Sequence, residues 1–232
     1  MTLDYVSHIR EETERFISAA NGSFDKHVPS CPEWDVGELS FHVLDAFAFW
    51  RQMVEGRLQT HKDAVRTPRP ADEDLLEEVK TEAARLIDAA RTTDPATPIW
   101  TWSKNKTAGF VPRRMAHEIS VHRWDCENAV GDAAPIAGAM AWDGVVEFFD
   151  YFFLFPGMEW KDGPVTVRLE RADGNDWFEA RSPASCEAPQ AIVTAPASDM
   201  LLALWGRLDV EGLAVRGDPA ALARLLTASD RD

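Results

Sequence analysis

The chain has 232 residues, of which 45% are hydrophobic and nine are tryptophan, so it has ample apolar material for a folded core. Its formal net charge of −15 at pH 7 argues against nucleic acid and anionic membranes as partners, because an acidic surface repels phosphate. We therefore expect a globular protein whose substrate or ligand is a small molecule.

Cysteine usage and the N-terminal segment indicate the compartment. The three cysteines, Cys31, Cys126 and Cys186, are odd in number and scattered, so they do not form a disulfide framework. The N-terminal segment has no basic start followed by an apolar run, and the most apolar stretch, VVEFFDYFFLF, is too short to span a bilayer. These features predict a cytoplasmic, reduced protein.

Helical periodicity dominates the chain up to about residue 156. Asp35 and Glu38 have capping-box spacing for the second helix, and Pro112 suits the first turn of the fourth, which ends before Gly131. The predicted helices cover residues 3–20, 35–54, 73–91, 112–129 and 142–154, the last ending before Pro156-Gly157. These segments suit an antiparallel helical bundle.

Beyond Gly163 the hydrophobic period changes to that of strands. The predicted elements are strands at 164–171, 176–182, 191–196 and 213–218 and helices at 199–205 and 218–228, with a turn at 173–175. The sequence therefore predicts an α+β protein, with a helical bundle in residues 1–156 followed by a small α/β domain in residues 163–232.

Two imidazoles and a carboxylate form the candidate site. Glu118 and His122 are four residues apart in AHEISVHRWD, so they point within about 40° of each other on a helix. His42 lies on the inward face of the second helix. Such a donor set suits zinc and leaves one coordination position for another ligand. The alternative is a hydrogen-bonded Glu118–His122 pair with His42 satisfied separately, and periodicity does not decide whether the two helices are neighbours.

A metalloprotease motif is excluded at this position. His117 and His122 are five residues apart, roughly 140° around a helix, so they cannot bind one ion together. An HExxH motif would need histidine where Val121 stands.

Three strings, VPSCPEWDVGELSFH, RRMAHEISVHRWDCENAVG and SDMLLALWGR followed by VRGDP, resemble the mycothiol-dependent maleylpyruvate isomerase family. The N-terminal half of that family is a DinB-like metal-binding bundle. The resemblance implies that His42, Glu118 and His122 hold a divalent metal, for which zinc is the best match to the ligand types. It also implies mycothiol as a thiol cosubstrate.

The resemblance implies a reaction as well. In an isomerase of this kind, a metal-bound thiolate adds to the double bond of a small cis-unsaturated diacid, and rotation and expulsion of the thiolate give the trans isomer. Three alternatives stay open. The thiolate could attack an electrophile permanently, as in a mycothiol S-transferase, the metal could activate water for hydrolysis, or the chain could be a non-catalytic metal or small-ligand binding module.

Two residues shortly after His122 on the same predicted helix have a possible role at the site. Asp125 either accepts the N–H of a metal-bound imidazole and fixes its tautomer, or is an exposed acid paired with Arg123 or another arginine. Cys126, four residues after His122, either approaches the metal or packs as a small hydrophobic residue.

The resemblance suggests that Arg207 in LWGR binds the carboxylate of an anionic substrate, which suits the two-pronged guanidinium. The alternative is a cation at a helix C-terminus, and Arg216 competes for the substrate role. The tryptophans, Trp34, Trp50 and Trp124 among them, are expected in the core.

Overall fold

The computed structural model describes residues 3–155, 158–184 and 186–229 and divides into two compact units, Met1–Ala134 and Pro135–Asp232. The long helices of the first unit are α1 (Tyr5–Ala20), α2 (Val36–Glu55), α3 (Asp72–Thr92) and α4 (Phe110–Val130). Helices α1 and α2 each pack mainly against α3 and α4, so the four form a bundle in the cyclic order α1-α4-α2-α3. The predicted helical bundle is therefore present, and α2 and α4 are neighbours.

The start of α2 is fixed by local hydrogen bonds. The Asp35 carboxylate accepts the backbone N–H of Glu38 at 2.8 Å, and the Glu38 carboxylate accepts the backbone N–H of Asp35 at 2.9 Å, which completes the predicted capping box. Leu39, Val43 and Phe47 then bury one face of the helix. The cap and this apolar face set the position and rotation of α2.

A buried ion-pair network joins α4 to α1. Arg123 on α4 is fully buried, and its guanidinium donates to Glu12 on α1 at 2.7 Å and to Glu127 at 2.6 Å. Arg15 donates to the same two glutamates from the outer side, at 3.1 and 2.9 Å. Because a buried charge without a partner is costly, the network fixes how α4 lies against α1.

The second unit contains a mixed sheet. Its elements are α5 (Gly138–Tyr151), β1 (Thr166–Arg171), β2 (Trp177–Arg181), β3 (Ala191–Ala195), α6 (Ala197–Leu204), β4 (Ala214–Gly217) and α7 (Ala220–Leu226). The strand order is β2-β1-β3-β4, with β1 antiparallel to β2 and parallel to β3, and β3 antiparallel to β4. The α+β class predicted from the change in period is confirmed.

The division between the units differs from the boundary expected near residues 156–163. It follows Ala134, and α5 belongs to the second unit because it packs on α6. The rings of Phe148 and Phe152 lie 5.2 and 4.6 Å from that of Trp205. The change of hydrophobic period marks the start of the sheet and not the start of the second unit.

Pro156-Gly157, expected to end α5, lies outside the described residues. Among the helices that the structure describes, none is long and apolar enough to cross a membrane.

The Arg123 network predicts that two arginines bound to the same carboxylates contribute very differently to the free energy of unfolding. Arg123→Ala leaves two buried glutamates without their central cation and should lower the free energy of unfolding by about 3–5 kcal/mol. Arg15→Ala is the matched control, because the Arg15 side chain is 40% exposed and its ion pairs should contribute less than about 1 kcal/mol. Urea denaturation of the two variants measures the difference, and equal losses would contradict the role of the network.

Candidate metal centre

Three side chains from two helices converge at one point. His42 comes from α2, and Glu118 and His122 come from successive turns of α4; their donor atoms all lie within 4.8 Å of one another. Glu118 Oε1 is 3.1 Å from His42 Nε2 and 3.3 Å from His122 Nε2. A tetrahedral zinc ion with bonds of about 2.0–2.1 Å separates its donors by roughly 3.3 Å. The donor types, and the spacing of each imidazole nitrogen from Glu118 Oε1, therefore fit zinc.

The carboxylate of Glu118 is held in its charged form. Burial alone would raise its pKa, but the positive charge of Arg114 and hydrogen bonds from His122 and His42 outweigh burial and lower the pKa well below its usual range. The Arg114 guanidinium donates to Glu118 Oε2, and Arg114 is itself buried. The sequence reasoning missed Arg114, although its spacing of four residues from Glu118 on one helix was a usable signal.

A second carboxylate orients His122. His122 Nδ1 lies 3.0 Å from Asp125 Oδ2, and the other oxygen of Asp125 accepts the hydroxyl of Ser30 at 2.5 Å. With Nδ1 bonded to Asp125, the opposite nitrogen is directed at Glu118. Of the two alternatives for Asp125, the exposed acid is wrong, because the residue is fully buried. The contact to Ser30 crosses 95 residues of chain, so no local pattern predicts it.

The two carboxylates favour positive charge at His122. Burial by itself would lower the pKa of the imidazole, but hydrogen bonds to Asp125 and Glu118 outweigh it and raise the pKa to about 9. A divalent cation bound at Nε2 would satisfy the same demand for positive charge between the carboxylates.

His42 is more open than the sequence predicted. It was expected to point into the core, but its side chain is 36% exposed, against 19% for Glu118 and 10% for His122. His42 lies at the edge of the apolar stripe of α2, where the ring of Trp34 packs on it at 4.9 Å. Trp34, expected in the core, is half-buried, whereas Trp50 and Trp124 are buried as expected. The donor group is therefore most open to solvent on the α2 side.

Cys126 points away from the three donors. Its thiol is buried and lies 4.0 Å from the backbone carbonyl of Phe16 on α1. Burial and the negative charges of Glu127 and Asp125 raise the pKa of this thiol to about 12. The position favours packing against α1 over metal binding.

The two candidate arginines belong to the second unit. Arg207 is half-buried just after α6 and donates to the carbonyl of Trp205 at 2.9 Å, a contact expected of a helix C-terminal cation. The Arg216 side chain on β4 is 73% exposed and lies 3.5 Å from that of Glu170 on β1 of the same sheet. A role for either residue toward substrate stays a prediction.

The environment of Cys126 predicts that this thiol is chemically inert. With a pKa of about 12 it carries almost no thiolate at pH 8, so iodoacetamide should leave it unmodified in the native protein. Cys31 and Cys186, which are partly exposed, serve as internal comparisons and should react first. Peptide mass mapping reads the three sites, and Cys126 reacting as fast as Cys186 would contradict its assignment as a packing residue.

The contact between Asp125 and His122 predicts that removing Asp125 weakens metal binding although the three candidate ligands are all still present. Asp125→Ala frees the His122 ring to rotate and should weaken zinc binding about 10–100-fold, the usual effect of losing a group that orients a ligand. Asp132→Ala, an exposed acid just after α4, is the control. Competition with a chromophoric chelator measures both, and an unchanged affinity in the Asp125 variant would show that Asp125 does not orient the ligand.

Comparisons with known proteins show the family to which the chain belongs. Residues 6–127 match the family model described as the mycothiol maleylpyruvate isomerase N-terminal domain, and residues 139–224 match the MDMPI C-terminal domain. Comparison with curated protein sequences yields no match. Among solved structures, a mycothiol-dependent maleylpyruvate isomerase (TM-score 0.65, 15% identity) and a histidine-to-alanine mutant of such an enzyme (TM-score 0.66, 14% identity) each share the fold over 93% of both chains. The chain belongs to the mycothiol maleylpyruvate isomerase family.

Proposed function

We propose that the protein is a metal-dependent, mycothiol-using enzyme that acts on a small unsaturated or electrophilic molecule, as a maleylpyruvate isomerase does. The observation that carries the proposal is the convergence of His42 Nε2, Glu118 Oε1 and His122 Nε2 from two helices. The family membership supports the choice of thiol, and the solved relatives with this fold are named as mycothiol-dependent.

Each residue of the site has a distinct task in this proposal. His42, Glu118 and His122 would hold zinc, while Asp125 fixes the tautomer of His122 through Nδ1. When bound, zinc lowers the pKa of a thiol so that it ionises near neutral pH. The three protein donors leave one tetrahedral position for that sulfur. The open side of the site at His42 offers a route for the thiol.

The reaction class is reversible thiol addition. Bound mycothiol would supply a nucleophilic sulfur that adds reversibly to a cis double bond conjugated to a carbonyl, so that the carbon–carbon bond could rotate and the thiol would be recovered unchanged beside the trans isomer. The substrate would be anionic in this proposal, and Arg207 is the candidate for its carboxylate because a guanidinium binds both carboxylate oxygens.

The reaction is tested with purified protein, zinc, mycothiol and a panel of cis-unsaturated diacids and simple electrophiles. We expect isomerised product only when both thiol and metal are present, with mycothiol recovered intact. Stable mycothiol adducts would identify an S-transferase instead, and full turnover with metal alone would identify a hydrolase. Stoichiometric metal without turnover of any substrate would favour a binding module.

The ligand assignment gives a sharp mutational prediction. His122→Ala removes one of three donors and should abolish both stoichiometric zinc and activity, while the helical circular-dichroism signal stays close to that of the parent protein. His61→Ala, an exposed histidine outside the donor group, is the matched control and should keep both. Elemental analysis that still finds one zinc per chain in the His122 variant would refute the assignment.

A further inference from the structure

The two oxygens of Glu118 have different partners. Oε1 faces both imidazoles, at 3.1 and 3.3 Å, whereas Oε2 accepts a hydrogen bond from Arg114. Arg114 lies one helical turn before Glu118, so the backbone of α4 fixes the arginine on the far side of the carboxylate from His122. This arrangement assigns one oxygen to the metal and the other to the guanidinium.

Burial makes this division of the two oxygens hard to reverse. The Arg114 side chain is 6% exposed and that of Glu118 is 19% exposed, so their ion pair is weakly screened by solvent. If Oε2 also turned to the metal, the buried guanidinium would lose this carboxylate oxygen, and a partner lost from a buried charge is costly. Glu118 is therefore held to binding through a single oxygen.

The number of bonds from Glu118 decides what else the ion can bind. Two imidazole nitrogens and one carboxylate oxygen leave a tetrahedral ion one further position. A carboxylate bound through both oxygens would occupy that position from within the protein.

We propose that Arg114 is a positioning residue that keeps the fourth coordination position of the metal available by confining Glu118 to one-oxygen binding. The inference rests on the proposed metal site but not on the identity of the thiol. It assigns to Arg114 a role in exogenous ligand binding that is separate from holding the metal.

The test uses full-length protein loaded with Co²⁺, whose visible spectrum reports on coordination, and titrates it with azide as a small ligand for the fourth position. Arg114→Gln should keep stoichiometric cobalt but bind azide about tenfold or more weakly, the lower range for loss of a group that orients a ligand. Arg114→Lys retains the charge with a single donating nitrogen and should give an intermediate azide affinity. The lysine variant also provides the measurement if the glutamine variant does not fold.

Arg51→Gln is the control for the loss of an arginine–glutamate ion pair elsewhere in the bundle, because Arg51 pairs with Glu55 on α2 and Glu82 on α3, outside the donor group. It should leave azide affinity unchanged. Azide affinity equal to that of the parent protein in both Arg114 variants would overturn the proposal. Loss of cobalt from the glutamine variant would overturn it too, because Arg114 would then be needed for metal binding by Glu118 and not for keeping the fourth coordination position available. A parent protein that binds azide but not mycothiol would contradict the proposed function and leave the role of Arg114 intact.

Discussion

The contact between His42 and Glu118 is the interaction on which the site depends, because it joins α2 to α4 at the donor group. Glu118 and His122 meet through helical spacing alone, but His42 reaches them only if α2 lies beside α4 with the right rotation. The capping box of α2 and its buried apolar face provide that rotation, and the Arg123 network fixes α4 from the opposite side. Elements far from the chemistry therefore determine whether three donors share one point.

The loop before α2 also contacts the donor group. Ser30 donates to Asp125, which is bonded to His122, and Trp34 packs on the ring of His42. One short segment therefore contacts His42 directly and also contacts Asp125, the hydrogen-bond partner of His122. Backbone hydrogen bonds within the loop, from Val28 N–H to the Trp34 carbonyl and from Trp34 N–H to the Cys31 carbonyl, make it compact. Such support matters because a ligand that is free to rotate weakens metal binding.

Local patterns predicted much of this molecule. The helices of the first unit, the capping box at Asp35 and the shift to strands after Gly163 follow from periodicity and turn residues, and each agrees with the structure to within a few residues. Glu118 and His122 share a face for the same reason. The assignment of His42 as the third donor was strengthened by the resemblance to a family, because spacing along one helix carries no information about the neighbouring helix.

The features that the sequence did not predict depend on contacts between distant segments. The Ser30–Asp125 bond and the exposure of His42 arise from how a loop and two helices meet. The structure divides after Ala134 and not near residues 156–163, because α5 is helical like the bundle while its aromatic side chains pack on Trp205. Arg114 is a different case, since its spacing from Glu118 was visible but an arginine–glutamate pair on a helix is usually a surface feature.

The central claim is that His42, Glu118 and His122 bind one metal ion together. Diffraction from zinc-soaked crystals, recorded on both sides of the zinc absorption edge, tests it most directly. The account predicts a single strong anomalous peak about 2.0–2.2 Å from His42 Nε2, Glu118 Oε1 and His122 Nε2. A zinc ion held by other side chains, or one bonded to α4 while His42 stays out of reach, would contradict it.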